Sequence, residues 1–203
     1  MRIAVPASKS VANRELVLAA IAEGRSVVEL GTLDPGDDVR AMRTALATLG
    51  YETRLEPGGR VLVRGRARAA PPADVRVDCA EAGTVARFGL ALAALGEGRV
   101  ELDGSARLRE RPIAPLVRAL REIGAVIDGE RLPLVVRGTA RGGEVTVPGE
   151  QSSQFASALL LIAPRLRDGL RLRVSGALVS APYVELTVAA LRARGVRVER
   201  PSP

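Results

Sequence analysis

The 203-residue chain contains no histidine and no tryptophan, and only two phenylalanines, two tyrosines and one cysteine. Without histidine it lacks the commonest general base and the commonest metal ligand, so neither a Ser-His-Asp triad nor a zinc site is expected. Its one cysteine, Cys79 in "VRVDCAEAGT", forms no internal disulfide and reads as a small core residue. An aromatic share of 2% leaves no stacking platform for nucleic acid and requires a core of Leu, Val, Ala and Ile. Charges interrupt every apolar stretch before it reaches the length of a membrane span, so no membrane association is expected. The N-terminus carries no signal-peptide h-region, and the expected location is cytoplasmic.

Lysine is almost absent too. Of 30 basic residues, one is lysine, Lys9 in "ASKSVANR". A compact, flexible ammonium is not interchangeable with a planar guanidinium, so this position reads as a site that needs the ammonium. The net charge of +7 points to anionic partners. The arginines are spread along the chain rather than clustered, which favours small phosphorylated or carboxylated molecules over nucleic acid.

The chain repeats itself. "TALATLGYETRLEPGGRVLVRG" and "RALREIGAVIDGERLPLVVRG" each run from a helix ending in Leu-x-x-Leu/Ile-Gly into two strands closing on Val-Arg-Gly. A third copy begins at "AALRARGVRVER". Apolar spacing predicts helices over roughly 10–24, 36–49, 82–96, 111–124, 152–164 and 182–194. Strands are expected near 2–5, 25–30, 51–56, 60–65, 74–79, 99–104, 126–128, 133–137, 143–147, 170–175 and 196–200. The expected fold is α/β (α+β): three βαβαββ units, roughly 1–66, 67–139 and 140–203, with helices inside and sheets outside. Unit three stops at "VRVERPSP" without a closing hairpin strand. Folded proteins avoid open sheet edges, so the chain is expected to be part of something larger.

Chemistry gathers at the helix openings. The first carries Ser10 and Arg14 one turn apart, the third Gly83, Thr84 and Arg87, and the fourth Arg111 before Pro112. The fifth carries Ser152, Ser153 and Gln154, and the sixth Ser180 and Tyr183. Each alone is an ordinary N-cap pattern. Five together, on repeated units that point equivalent ends the same way, would form a polyanion site from dipoles and free N–H groups. The second opening, "DPGDD", is expected to be capped by Asp34 or Asp37.

The motifs "SKSVANR", "EAGTVARF", "RERPI", "SSQFASALL" and "LVSAPYVELT", in this order, resemble the 5-enolpyruvylshikimate-3-phosphate synthases. These are the 3-phosphoshikimate 1-carboxyvinyltransferases of the shikimate pathway. The resemblance covers essentially the whole chain and implies one domain of a two-domain enzyme with the enolpyruvyl transferase fold, an inside-out α/β barrel. It implies transfer of enolpyruvyl from phosphoenolpyruvate to the 5-hydroxyl of shikimate 3-phosphate through a tetrahedral adduct, with phosphate released and no metal or organic cofactor. It further implies that Lys9, Gly83, Arg111 and Gln154 contact phosphoenolpyruvate, Lys9 being the catalytic candidate. Lys9, Ser10, Arg14, Ser152, Ser153, Gln154, Ser180 and Tyr183 would contact shikimate 3-phosphate, with Thr84 and Arg87 as further candidates. Glyphosate is implied as a possible inhibitor. The second domain, which would supply the Asp and Glu acid–base groups, is absent, so the chain alone is expected to be inactive. Two positions depart from the motif: Glu81 where Asn is common, and Phe88 where Pro is common. A UDP-N-acetylglucosamine enolpyruvyl transferase and a free-standing anion-binding or regulatory domain of the same fold remain alternatives.

Overall fold

In the computed structural model the described residues are 8–31, 35–67 and 74–200. Unit one runs through α1 (Lys9–Ile21), β1 (Gly24–Glu29), α2 (Asp37–Thr48), β2 (Glu52–Glu56) and β3 (Arg60–Gly65). Its expected first strand, 2–5, lies outside the described residues. Unit two is β4 (Val75–Asp78), α3 (Gly83–Leu95), β5 (Arg99–Asp103), a short α4 (Ala106–Arg109), α5 (Ala114–Glu122), β6 (Val126–Asp128) and β7 (Leu134–Arg137). Unit three is β8 (Gly143–Pro148), α6 (Ser153–Ile162), β9 (Leu170–Ser175) and α7 (Ala181–Arg192).

The strands form three sheets, ordered β1-β3-β2, β4-β5-β7-β6 and β8-β9. β4 with β5 and β8 with β9 are parallel, and the other pairs are antiparallel. Helices α1, α3 and α6 pack on one another at the centre, with α2, α5 and α7 around them. Sequence explains this division. In α3 every residue except Thr84 is buried, as an all-round apolar helix must be. By contrast, α5 buries one face, including Leu116, Val117 and Leu120.

Four local expectations are corrected. The helix expected over 111–124 starts only at Ala114, because Arg111, the residue before Pro112, resists the α conformation, and a separate short helix, α4, precedes it. Arg111 therefore sits in the link between α4 and α5, and Pro115 rather than Pro112 lies in the first turn of α5. The second opening is capped by no acid: Gly36 takes the N-cap position at φ 78°. Asp37 pairs instead with Arg40, and Asp34 is outside the described residues. Pro164 converts the end of the fifth expected helix into a short 3-10 turn, Ala163–Arg165. Finally, 196–200 is not a strand. Its counterparts β2 and β6 pair with the strand that follows each of them, and no such strand follows here among the described residues.

The three units do share one exit. After α2, α5 and α7 the chain turns on Gly50, Gly124 and Gly195, all at positive φ. The next residue then donates back to the helix: Tyr51 N–H to Leu46 at 2.9 Å, Ala125 to Leu120 at 3.0 Å, Val196 to Leu191 at 3.1 Å.

Candidate functional site

The helix openings converge. A cleft of about 490 Å³ is lined by Lys9 and Ser10 from α1, Gly83 and Thr84 from α3, and Arg111 from the α4–α5 link. Ser152, Ser153 and Gln154 of α6, Ser180 and Tyr183 of α7, and Arg14 complete the residues expected from sequence. Arg87 stands just behind, donating to Gln154 Oε1 at 2.7 Å. A depression of similar size, about 510 Å³, lies on the outward face of the first sheet, but no helix opening contributes to it.

Several of these openings lack a side-chain cap. Neither Ser8 nor Ala82, the N-caps of α1 and α3, makes a side-chain cap bond. First turns usually favour acids, yet those of α1, α3, α5, α6 and α7 hold none. Ser152 does cap α6, accepting from Gln154 N–H at 3.1 Å. Ser180 opens α7 in the left-handed region, φ 55° and ψ 41°, and makes no side-chain cap bond. Such backbone costs energy in a residue with a side chain and clusters at binding sites.

Two guanidiniums, Arg111 and Arg87, stand at one side of the cleft. Arg111 is exposed, and its side chain makes no hydrogen bond or ion pair among the described residues; its backbone N–H donates to Leu108 O at 3.1 Å. Arg87 is buried, donates to Pro112 O at 2.7 Å, and lies over the Phe155 ring at 5.4 Å. Burial, and then the neighbouring charge of Arg111, lower its pKa to about 10, so it stays cationic at neutral pH. Gly83 makes room for the pair. A methyl group on it would stand 2.6 Å from Arg87 Nη1 and 3.2 Å from Arg111 Nη1.

Arg14 has a different place. It is buried, and its guanidinium donates to Thr187 Oγ1 at 2.7 Å, Ser10 O at 2.6 Å, and both Ser157 Oγ and Tyr183 O at 3.1 Å. Four of its five N–H donors are therefore committed to α1, α6 and α7. It also lies over the rings of Phe88 at 5.4 Å and Tyr183 at 5.8 Å. Burial pulls its pKa below the ordinary arginine value.

Sequence reasoning missed Asp38. It lines the cleft and holds Lys9 Nζ at 2.8 Å. The available signal was its position: an acid in the first turn of the one helix whose opening had been set aside as ordinary capping. Gln151 and Val179 also line the cleft and were not singled out.

The model of the EPSP synthase (3-phosphoshikimate 1-carboxyvinyltransferase) family matches residues 1–203. The chain belongs to the EPSP synthase family. It is 44% identical over 208 residues to a 3-phosphoshikimate 1-carboxyvinyltransferase of Mycobacterium ulcerans (strain Agy99), covering 99% of this chain and 47% of that protein. Two structures of EPSP synthase from Acinetobacter baumannii superpose with a TM-score of 0.78 at 24% identity. They cover 98% of this chain and 44% and 45% of theirs, and at that identity they speak for the fold. The chain thus spans about half the length of the relatives it matches.

Within this member of the EPSP synthase family, the two unusual motif positions have physical places. Glu81 puts a carboxylate on the cleft wall, opposite in sign to Lys9 and Arg111. Phe88 is buried and offers its ring face to Arg14. Among the described residues, no group of three or more His, Cys, Asp or Glu side chains is placed to hold a metal, and no helix is long and apolar enough to cross a membrane.

Proposed function

We propose that this chain is the substrate-binding domain of a 3-phosphoshikimate 1-carboxyvinyltransferase. The reaction joins the 5-hydroxyl oxygen of shikimate 3-phosphate to C2 of phosphoenolpyruvate. A proton enters at the methylene carbon and the hydroxyl proton leaves. The tetrahedral adduct then loses phosphate and a methyl proton. The observation that carries this reading is the convergence of helix openings, hydroxyls and cations on one cleft of about 490 Å³. That chemistry suits two phosphorylated substrates meeting side by side.

In this reading Arg111, Lys9, Gln154 and the Gly83 backbone hold phosphoenolpyruvate. Ser10, Ser152, Ser153, Ser180 and Tyr183 hold shikimate 3-phosphate, with Arg14 fixing the helices that carry them. Lys9 faces both substrates, where a compact ammonium serves two oxyanions. Proton transfers at carbon and oxygen each need a placed acid or base. The carboxylates lining the cleft are Asp38, engaged by Lys9, and Glu81, while Glu110 is not part of the wall. In this reading the acid–base pair comes from a second domain and the enzyme works in the cytoplasm. Glyphosate, a small phosphonate-carboxylate, fits the same cations.

The test is an NMR titration of this chain. Shikimate 3-phosphate should shift the amides of Ser152, Ser153 and Ser180 in the millimolar range, whereas UDP-N-acetylglucosamine should not. Assayed alone, the chain should release no phosphate from the two substrates. A response to the UDP-sugar and none to shikimate 3-phosphate would overturn the substrate assignment, and turnover by the chain alone would overturn the half-site.

A further inference from the structure

Among the described residues three charged side chains are buried: Arg14, Arg87 and Asp103. Asp103 has two counter-ions, Arg76 and Arg109, each at 2.6 Å. The two arginines have none. Every acceptor on Arg14 is a hydroxyl or a backbone carbonyl, and those on Arg87 are Gln154 Oε1 and Pro112 O. The neighbouring charge that acts on Arg87, that of Arg111, has its own sign. Buried charges are ordinarily paired with an opposite charge, because neutral acceptors repay desolvation less well.

What the two arginines share instead is an aromatic face. Arg14 Cζ lies 5.4 Å from the centre of the Phe88 ring, and Arg87 Cζ lies 5.4 Å from that of Phe155. In each case the cation comes from one central helix and the ring from the next, α1 to α3 and then α3 to α6. The chain has only two phenylalanines, both at most 1% exposed. Leucine, valine and alanine fill most of the remaining core, so packing alone gives no reason for both phenylalanines to meet the two buried cations. The negative face of a ring attracts a cation without bringing a net charge of its own.

We propose that Phe88 and Phe155 are positioning residues that stand in for counter-ions, holding two cations inside while leaving their charge unneutralised behind the cleft. Arg14 lines that cleft, and Arg87 reaches it through Gln154. A carboxylate in place of either ring would hold the guanidinium more firmly, but its charge would cancel the field that draws an anion in. The bound anion then serves as the counter-ion. This inference rests on reading the cleft as an anion site.

Inorganic phosphate is the probe, so the result does not depend on which substrates the cleft takes. Phe88→Leu and Phe155→Leu should each lower the denaturation midpoint. Thr187 accepts from Arg14 Nε at 2.7 Å and lies outside the cleft wall, so a counter-ion can be supplied there. Compared with its neutral match Thr187→Asn, Thr187→Asp should raise the midpoint of Phe88→Leu but not that of Phe155→Leu. In the otherwise unmodified chain the same aspartate should weaken phosphate binding, read at the Ser152 and Ser180 amides at low salt, by at least about fivefold relative to the asparagine. If the leucine variants do not fold, ring-fluorinated phenylalanine incorporated throughout the chain weakens these two ring faces alone, and aspartate should recover part of the lost stability. Equal recovery of both leucine variants, recovery of neither, no recovery of the fluorinated chain, or phosphate affinity indifferent to the aspartate would each overturn the inference. An unmodified chain that binds no phosphate would fail the cleft reading instead, and recovery by aspartate would still decide the role of the rings.

Discussion

Lys9 Nζ and Asp38 Oδ2 are 2.8 Å apart, and the pair joins the openings of α1 and α2 across the rim of the cleft. The lysine side chain is 65% exposed, so the bond contributes little to stability, about 1 kcal/mol at most. Its consequence is electrostatic: an anion entering the cleft gains the ammonium and meets the carboxylate. Lys9→Met and Asp38→Asn should therefore change anion affinity in opposite directions. At low salt, phosphoenolpyruvate should bind about tenfold more weakly to the first and about twofold more tightly to the second, with both effects shrinking as salt rises. Calorimetry showing the same sign for both variants would refute this balance. Neither substitution should move the melting temperature by more than about 2 °C.

Gly83→Ala tests how tightly the two guanidiniums are held. The new methyl would meet Arg87 Nη1 at 2.6 Å. Arg87 cannot retreat without giving up Gln154 Oε1 or Pro112 O. Losing one such charged bond in a buried place costs about 1–3 kcal/mol. The variant should melt several degrees lower, and phosphoenolpyruvate should bind it at least about fivefold more weakly. Unchanged stability would mean that the guanidinium swings aside freely.

Much of this was legible in the chain, for identifiable reasons. Amphipathic or all-apolar spacing marked six of the helices, and the repeated Leu-x-x-Leu/Ile-Gly exits marked the units, because both are local signals. The helix openings were legible because Ser, Gly and Arg there are chemically conspicuous. What stayed hidden depends on the third dimension. Asp38 looks like any first-turn acid until α1 brings Lys9 to it. That Arg14, besides lining the cleft, ties α6 and α7 to α1 is visible only once those helices close on it. The segment 196–200 has the alternation of a strand, but a strand also needs a neighbour.

Arg14→Ala should be among the most damaging substitutions in the chain. It removes a buried cation bonded to Thr187, Ser157 and the Tyr183 carbonyl, and it leaves a cavity above Phe88. Losses of this kind amount to about 3 kcal/mol or more. Arg14→Lys should recover less than half of that, since an ammonium cannot reach donors spread around a planar fork. Chemical denaturation measures both. A fully stable Arg14→Ala chain with impaired shikimate 3-phosphate binding would instead make Arg14 a direct ligand.

Asp103 should set part of the acid limit of stability. Its carboxylate is buried at the end of β5 and accepts from Arg109 Nε at 2.8 Å and Nη2 at 2.6 Å, and from Arg76 at 2.6 Å. The Arg109 hydrogen bonds are the main cause of its low pKa, about 2 against an ordinary 3.8, and they outweigh the opposing effect of burial. A pKa depressed in the folded state means the unfolded chain binds the proton more readily. The stabilisation is then complete above about pH 4 and is lost as pH falls towards 2. Both arginines are substantially exposed, so solvent screening reduces the contribution to about 1 kcal/mol. Asp103→Asn should lower stability at pH 7 and flatten its dependence on pH between about 4 and 2. Denaturation curves at pH 7, 4 and 2.5 decide it: parallel losses in wild type and variant would show that other carboxylates govern the acid transition.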